Sequence, residues 1–229
     1  MAPNSVELSV AGACCNLLVI VAPALLIAKF STLLADIPLL LWLFALATWC
    51  VLESTFSKLA FHGAENARLP WLPYSSGVAL LVFQWIILLW HCRTPVQPAL
   101  SHMLAGGLLL LTGVSLRLLA IVTLRQFFTS HVTVREHHRL ITEGVYTYLR
   151  HPSELGLLLA TLGQVVYFSG YISFAWWLCG LLPLSCLRMR VEDHLLARLA
   201  PEEFSRYRSR TPALLPLGFW NSRKGLSPQ

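Results

Sequence analysis

The apolar residues of this chain fall into long runs separated by short polar breaks. Four stretches, Leu8 to Ile27, Ile37 to Leu52, Ser76 to Trp90 and Ala99 to Leu124, are each predicted to be a helix across a lipid bilayer. A helix rises 1.5 Å per residue, so a hydrocarbon core of ~30 Å asks for about 20 apolar residues. The second and third runs are short on their own. Tolerable flanks extend them, Ser54 to Ala60 for the second, and Tyr74 and His91 for the third. The connections are legible too: Phe61 to Tyr74 contains Gly63, Pro70 and Pro73 and reads as a polar turn, and Thr94 to Pro98 reads as a tight link. The opening MAPNSVELSV lacks a basic region and precedes a long apolar run, so a removable signal peptide is not expected.

A fifth apolar block, Leu155 to Leu187, is longer than one crossing needs and is interrupted at Ser169-Gly170. Either it forms one overlong helix, or two legs of about 15 residues, each reaching ~22 Å, form a shallow hairpin. Charge chooses between them. Twelve of the 17 Lys and Arg lie after Leu124, in the segments that flank the block. Basic segments stay on the cytoplasmic side, so a block with basic segments at both ends goes in and comes back. The expected architecture is all-α: residues 1–124 carry four N-terminal spans, and residues 125–229 carry a polar loop, a helical hairpin over 155–187 and a cytoplasmic helical tail.

Composition agrees. The chain is 56% hydrophobic and 12% charged, against ~45–50% and ~25% in soluble domains, which excludes both an ordinary soluble domain and a disordered chain. The formal net charge of +6 could suggest nucleic acid, but its basic residues interleave with apolar anchors beside membrane spans. Lipid headgroups are the nearer anions, and no nucleic-acid partner is expected. The six cysteines, 14, 15, 50, 92, 179 and 186, sit in or beside apolar runs without CxxC spacing. They read as small core residues rather than a metal site or a disulfide framework.

Chemistry concentrates where the fourth run ends. Four of the eight histidines lie between 131 and 151, in RQFFTSHVTVREHHRLITEGVYTYLRHPSELG. The adjacent pair His137-His138 and the lack of an i, i+4 histidine pair argue against zinc, so no metal is expected. Gly144 suits a close backbone approach or a positive φ, and Pro152 suits the first turn of the following helix. The N–H groups of that turn would face an anion. A second cluster, CLRMRVEDHLLARLAPEEFSRYRSRTPALLP, begins where the fifth block ends. There Arg188 and Glu192 share a helix face at i, i+4, in the order that adds less to helix stability.

At these residues the chain resembles the isoprenylcysteine carboxyl methyltransferase family. The resemblance spans about Arg125 to Pro216. It rests on His138-Arg139-Leu140-Ile141, then Gly144-Val145-Tyr146, then Arg150-His151-Pro152-Ser153, then Arg188 with Glu192-Asp193 after the apolar block, and Glu202-Glu203-Phe204 running on to Pro212 and Pro216. Three positions depart from the family pattern. Glu154 stands where the family has Tyr, Asp193 replaces a second Glu, and Ala200-Pro201 replaces Phe-Gly.

The resemblance implies an integral membrane enzyme that moves a methyl group from S-adenosylmethionine to the C-terminal carboxylate of prenylcysteine in processed CaaX proteins. It implies an endoplasmic reticulum membrane, if the source is eukaryotic, with the catalytic part facing the cytoplasm. Carried over by motif, the cofactor residues are His131, His138, Arg139, Leu140, Ile141, Tyr146, His151, Pro152, Ser153, Glu154 and Glu192. Arg188 contacts the acceptor, and Arg188 and Glu192 carry the catalytic roles, with Arg190 as the alternative arginine. A carboxylate is already ionised near neutral pH, so the transfer needs positioning rather than a general base. Two alternatives remain open from the residues: a methyltransferase of a phospholipid amine or small thiol, for which His131 or His194 would serve as base, and a non-catalytic membrane relative.

Overall fold

A computed structural model describes residues 35–56, 71–94, 97–124 and 140–214, and among these the regular structure is helical, without strands. The first expected span, Leu8 to Ile27, lies outside the described residues. The next three are the helices α1 (Ile37–Phe56), α2 (Trp71–Arg93) and α3 (Leu100–Leu124). A short 3-10 turn, Gly144–Thr147, precedes α4 (Pro152–Phe168). A return leg follows, made of α5 (Tyr171–Trp176), a π-turn (Trp177–Leu181) and α6 (Leu182–Leu199), and the helix α7 (Pro201–Arg210) closes the described chain.

Four of these helical segments, Ile37–Phe56, Ser75–Arg93, Leu100–Leu124 and Tyr171–Leu199, are long and apolar enough to span a bilayer. Their outer faces are apolar. Leu104, Leu108 and Leu111 on α3 are each about two-thirds exposed, an arrangement that water would penalise and lipid tails accept. The segment expected as a polar turn up to Tyr74 is shorter than that. Residues 71–74 already belong to α2, because Pro73 is tolerated in a first turn, where an N–H has no helical partner to lose.

The long apolar block breaks where Ser169-Gly170 predicts. Ser169 adopts φ 51°, the left-handed cap that ends α4. The legs differ from the expected shallow pair. The outward leg has 17 residues and the return is a 29-residue run to Leu199, so the second leg is deep enough for a full crossing. The apolar residues alone understated it, because the polar stretch after Leu187 continues the same helix.

The packing of α3 on α4 sets the frame for the site. The two run antiparallel with glycines in register: a Cβ on Gly106 would lie 2.5 Å from the Gly163 carbonyl oxygen, and one on Gly113 would lie 2.3 Å from the Ala160 nitrogen. Such contact of backbone with backbone needs residues without a side chain, and it is the device by which membrane helices gain van der Waals contact without a hydrophobic drive. Aromatic residues fill the core beside it, with the Trp42 and Phe168 rings edge to face at 5.5 Å.

One end of the bundle is fastened by polar contacts. Asp36 accepts a hydrogen bond from the Leu39 N–H at 3.0 Å and pairs with His91 Nε2 at 2.7 Å, and the Tyr167 hydroxyl donates to the Pro38 carbonyl at 3.0 Å. These bonds join the start of α1 to the ends of α2 and α4. A larger set of charged residues gathers at the other end.

Candidate active site

At that second end Pro152 opens α4 with His151 as its N-cap, and no side chain caps the helix. Pro fits this position because its φ is already helical and its missing N–H costs nothing there. The preceding turn is set by Gly144, whose φ of +59° suits a residue without a Cβ. A Cβ would lie 3.1 Å from the Thr123 Cγ2 at the end of α3.

Helix α6 faces this N-terminus with two acidic residues, Glu192 and Asp193. The His151 Nε2 lies 3.0 Å from the Asp193 Oδ1, and its Nδ1 lies 3.7 Å from Glu192 Oε2. The histidine side chain is 3% exposed, whereas the Glu192 side chain is 43% exposed. Burial pushes the His151 pKa down, but hydrogen bonds to Asp193 and Glu192 and their charges outweigh it and hold it at about 9. His151 is therefore a cation at neutral pH.

Arg150 fastens the tail. It pairs with Asp193, donates from Nε to the Thr211 carbonyl at 3.0 Å, and its backbone N–H bonds Pro212 O at 2.9 Å. The Tyr207 hydroxyl donates to Tyr146 O at 2.6 Å. Burial raises the Tyr207 phenol pKa, so the hydroxyl stays protonated and its bond to the Tyr146 backbone carbonyl keeps its donor. Helix α7 is thereby locked over the 3-10 turn.

A second set of charges lies deeper. Arg188, on α6, pairs through Nε with Glu154 Oε1 at 3.2 Å, with side-chain exposures of 15% and 7%. From α3, Arg117 donates to Glu53 Oε1 on α1 at 2.9 Å from Nε and at 2.5 Å from Nη2. Its Nη1 reaches the Ser153 Oγ at 3.1 Å. Trp49 Nε1 also donates to Glu53, at 2.7 Å. Two arginines and two glutamates thus alternate in sign across four helices. Unpaired, each charge at this depth would be costly.

Of the site residues expected from sequence, Tyr146, His151, Pro152 and Glu154 are buried, and Ser153, Arg188 and Glu192 are partly buried in the same region. Leu140 and Ile141 are half-buried at the start of the segment leading in. His131, His138 and Arg139 lie outside the described residues. The expected Arg188–Glu192 neighbourhood on one helix face resolves into two pairs between helices, Arg188 with Glu154 and Glu192 with His151. Arg190 is exposed on the far side of α6 from Arg188, and His194 is exposed as well. Sequence reasoning missed Glu53, Arg117 and the role of Asp193. The first two had a usable signal, since each is a lone charge inside an apolar span. The cysteines 50, 92, 179 and 186 are free, and among the described residues no group of three or more His, Cys, Asp or Glu side chains is arranged to hold a metal ion.

Comparison with known proteins places this arrangement. A family profile described as the isoprenylcysteine carboxyl methyltransferase family matches residues 106–198, from the glycines of α3 to the end of α6. Protein-S-isoprenylcysteine O-methyltransferase B of Arabidopsis thaliana is 30% identical over 69% of this chain and 83% of its own length. The probable protein-S-isoprenylcysteine O-methyltransferase of Oryza sativa subsp. indica is 27% identical over 76% and 95%. In structure the chain resembles the eukaryotic intramembrane Ras methyltransferase solved without a monobody. The TM-score is 0.51 at 14% identity, covering 93% of this chain and 98% of that one, which bears on the fold alone. The glycine-packed α3–α4 pair, the Arg-His-Pro-Ser turn and the arginine and acidic pair of α6 all fall within the matched residues, and the chain is a multi-pass integral membrane protein that belongs to the isoprenylcysteine carboxyl methyltransferase family.

Proposed function

We propose that the protein transfers a methyl group from S-adenosylmethionine to the carboxylate of a C-terminal prenylcysteine, at the end of the bundle where His151 and α6 meet. The observation that carries this reading is the convergence of Arg188, Glu192 and His151 from the first turn of α4 and one face of α6, at the boundary of the spanning helices.

The residues present fit such a donor. The uncapped N-terminus of α4 offers N–H groups to a carboxylate, and Glu192, half-exposed beside His151, offers a negative charge to a cation. Tyr146, Leu140 and Ile141 would line the pocket. His138, Arg139 and His131 belong to the same proposed set. When bound, the donor supplies an electrophilic methyl group on a sulfonium.

The chain's own residues then have three tasks. Arg188 holds the acceptor carboxylate, since a planar guanidinium can donate two parallel hydrogen bonds to it. The nucleophile is already ionised, so no side chain has to remove a proton. Helices α4 and α6, with α7 fastened across them by Tyr207 and Arg150, exclude water and hold the acceptor in attack geometry, an effect of ~7–11 kcal/mol in favourable cases. The prenyl chain stays in the bilayer and reaches the site between helices, because moving it through water would expose its whole apolar length. The catalytic end faces the cytoplasm, and in a eukaryote the membrane is that of the endoplasmic reticulum.

The test is transfer of labelled methyl from S-adenosylmethionine to prenylcysteine, phosphatidylethanolamine and a small thiol in parallel. Label on prenylcysteine alone is the expected result. Label on either of the others and none on prenylcysteine would overturn the assignment.

A further inference from the structure

Glu154 stands in the first turn of α4, and the structure places its side chain beside the arginine assigned to the acceptor. Glu154 Oε1 contacts Arg188 Nε at 3.2 Å, and both side chains are largely shielded from solvent. The carboxylate therefore occupies the same cation that an acceptor carboxylate needs.

We infer that Glu154 is a built-in counter-carboxylate for Arg188: it competes with the acceptor acid for the guanidinium charge and reclaims it when methylation removes the acceptor's charge. The inference rests on the assignment of Arg188 above. Three observations carry it. Contact is charge to charge: Nε lies 3.2 Å from Oε1 without the alignment of a hydrogen bond, so the pair rests on attraction between two shielded charges. Glu154 itself is held in place, because it stands in the first turn of α4 directly after Ser153, and Arg117 clasps Ser153 through both its carbonyl oxygen, at 3.3 Å, and its hydroxyl, at 3.1 Å. Arg117 is in turn held by Glu53, so the anion facing Arg188 cannot readily move away.

The chemistry gives this arrangement a direction. An acid acceptor arrives with a negative charge and shares Arg188 with Glu154 at some loss of attraction. The ester product has no charge, makes no such claim, and leaves Arg188 to its resident partner. Glu154 thus weakens the hold on the acid without affecting the ester.

The experiment measures binding of a prenylcysteine carboxylic acid and of its methyl ester to the full chain in nanodiscs, by tryptophan fluorescence, without donor. The proteins are wild type, Glu154→Gln, Arg188→Gln and the double variant. Gln at 154 keeps the shape of the side chain but removes the charge. The expected result is a 3–10-fold lower Kd for the acid in Glu154→Gln, with ester affinity unchanged, and a clearly smaller effect of the same change when Arg188 is Gln. Where Arg188→Gln does not fold, the comparison of acid with ester in Glu154→Gln alone decides. Acid and ester shifting in parallel, or no shift, would overturn the inference while leaving the assignment of the acceptor standing. Selective tightening at full size in the Arg188→Gln background would mean plain charge repulsion and would also overturn it. Wild type binding neither ligand would reject the acceptor class and the inference with it.

Discussion

Replacing Gly113 by Ala adds one methyl group, and the structure says where it goes. The new Cβ would lie 2.3 Å from the Ala160 nitrogen, 2.5 Å from Gly156 O and 2.8 Å from Ala160 Cα. All three are backbone atoms and cannot rotate aside. Carbon needs roughly 3.5 Å, so α3 and α4 must part by about 1 Å. Overpacking of this kind costs about 1–3 kcal/mol. The same movement stretches the hydrogen bond from Arg117, one turn further along α3, to the Ser153 Oγ, now 3.1 Å, beyond useful length. Gly107 supplies the control, because it lies in the same helix and a Cβ there meets nothing within 4 Å. Gly107→Ala should be neutral or should stabilise by up to about 1 kcal/mol through helix propensity. The assay is thermal unfolding in nanodiscs, followed by dye labelling of the half-buried thiols Cys50 and Cys92. At about 2–4 °C per kcal/mol for a chain of this size, Gly113→Ala should melt at least about 2 °C below Gly107→Ala and lose methyl transfer more than expression level. Equal melting temperatures for the two variants would refute the backbone-contact argument.

Three further outcomes are expected. His151 binds its proton more tightly folded, at a pKa of about 9 against 6.5 for the free side chain. Its contribution is therefore complete below pH ~6.5 and is lost as the pH climbs through about 9. Unfolding temperature measured from pH 6 to pH 10 should fall across this window in wild type and less in His151→Gln, whereas parallel curves would remove the histidine from the linkage. Arg188→Lys should lower the methyl-transfer rate about 30-fold to 1000-fold, for a loss of roughly 2–4 kcal/mol, because an ammonium cannot reproduce the bidentate geometry. Arg190→Lys, on the exposed side of α6, should stay within about threefold, and the reverse ranking would move the role to Arg190. For topology, impermeant maleimide on single cysteines placed in a cysteine-free chain should report Thr147→Cys and Ser205→Cys on one side and Ser169→Cys on the other, with all three on one side contradicting the hairpin.

Much of this protein can be read without coordinates, because a bilayer leaves the chain few choices. Backbone polar groups in lipid must be satisfied within a helix, so runs such as Ile37–Phe56 and Leu100–Leu124 declare themselves by length and apolarity alone. The turn at Ser169-Gly170, the role of Pro152 and the positive φ at Gly144 are equally local, each following from one residue's backbone preferences. The chemistry-bearing residues from Tyr146 to Glu154 and from Arg188 to Asp193 stood out as polar blocks beside apolar ones, and the family likeness rested on them. Their partners did not stand out. Ion pairing is decided by which helices touch, and the helices touch where glycines on α3 and α4 happen to be in register. Only that register brings Arg117 to Ser153 and, across α1, to Glu53, 64 positions away in the chain. The packing of α6 beside the start of α4 in turn makes Glu154 the partner of Arg188, rather than one more residue in a cofactor motif, and assigns His151 to Asp193 and Glu192. Spacing along a helix orders residues on one face, whereas the charge a buried residue meets is chosen by the neighbouring helix, and that choice exists only once the bundle has packed.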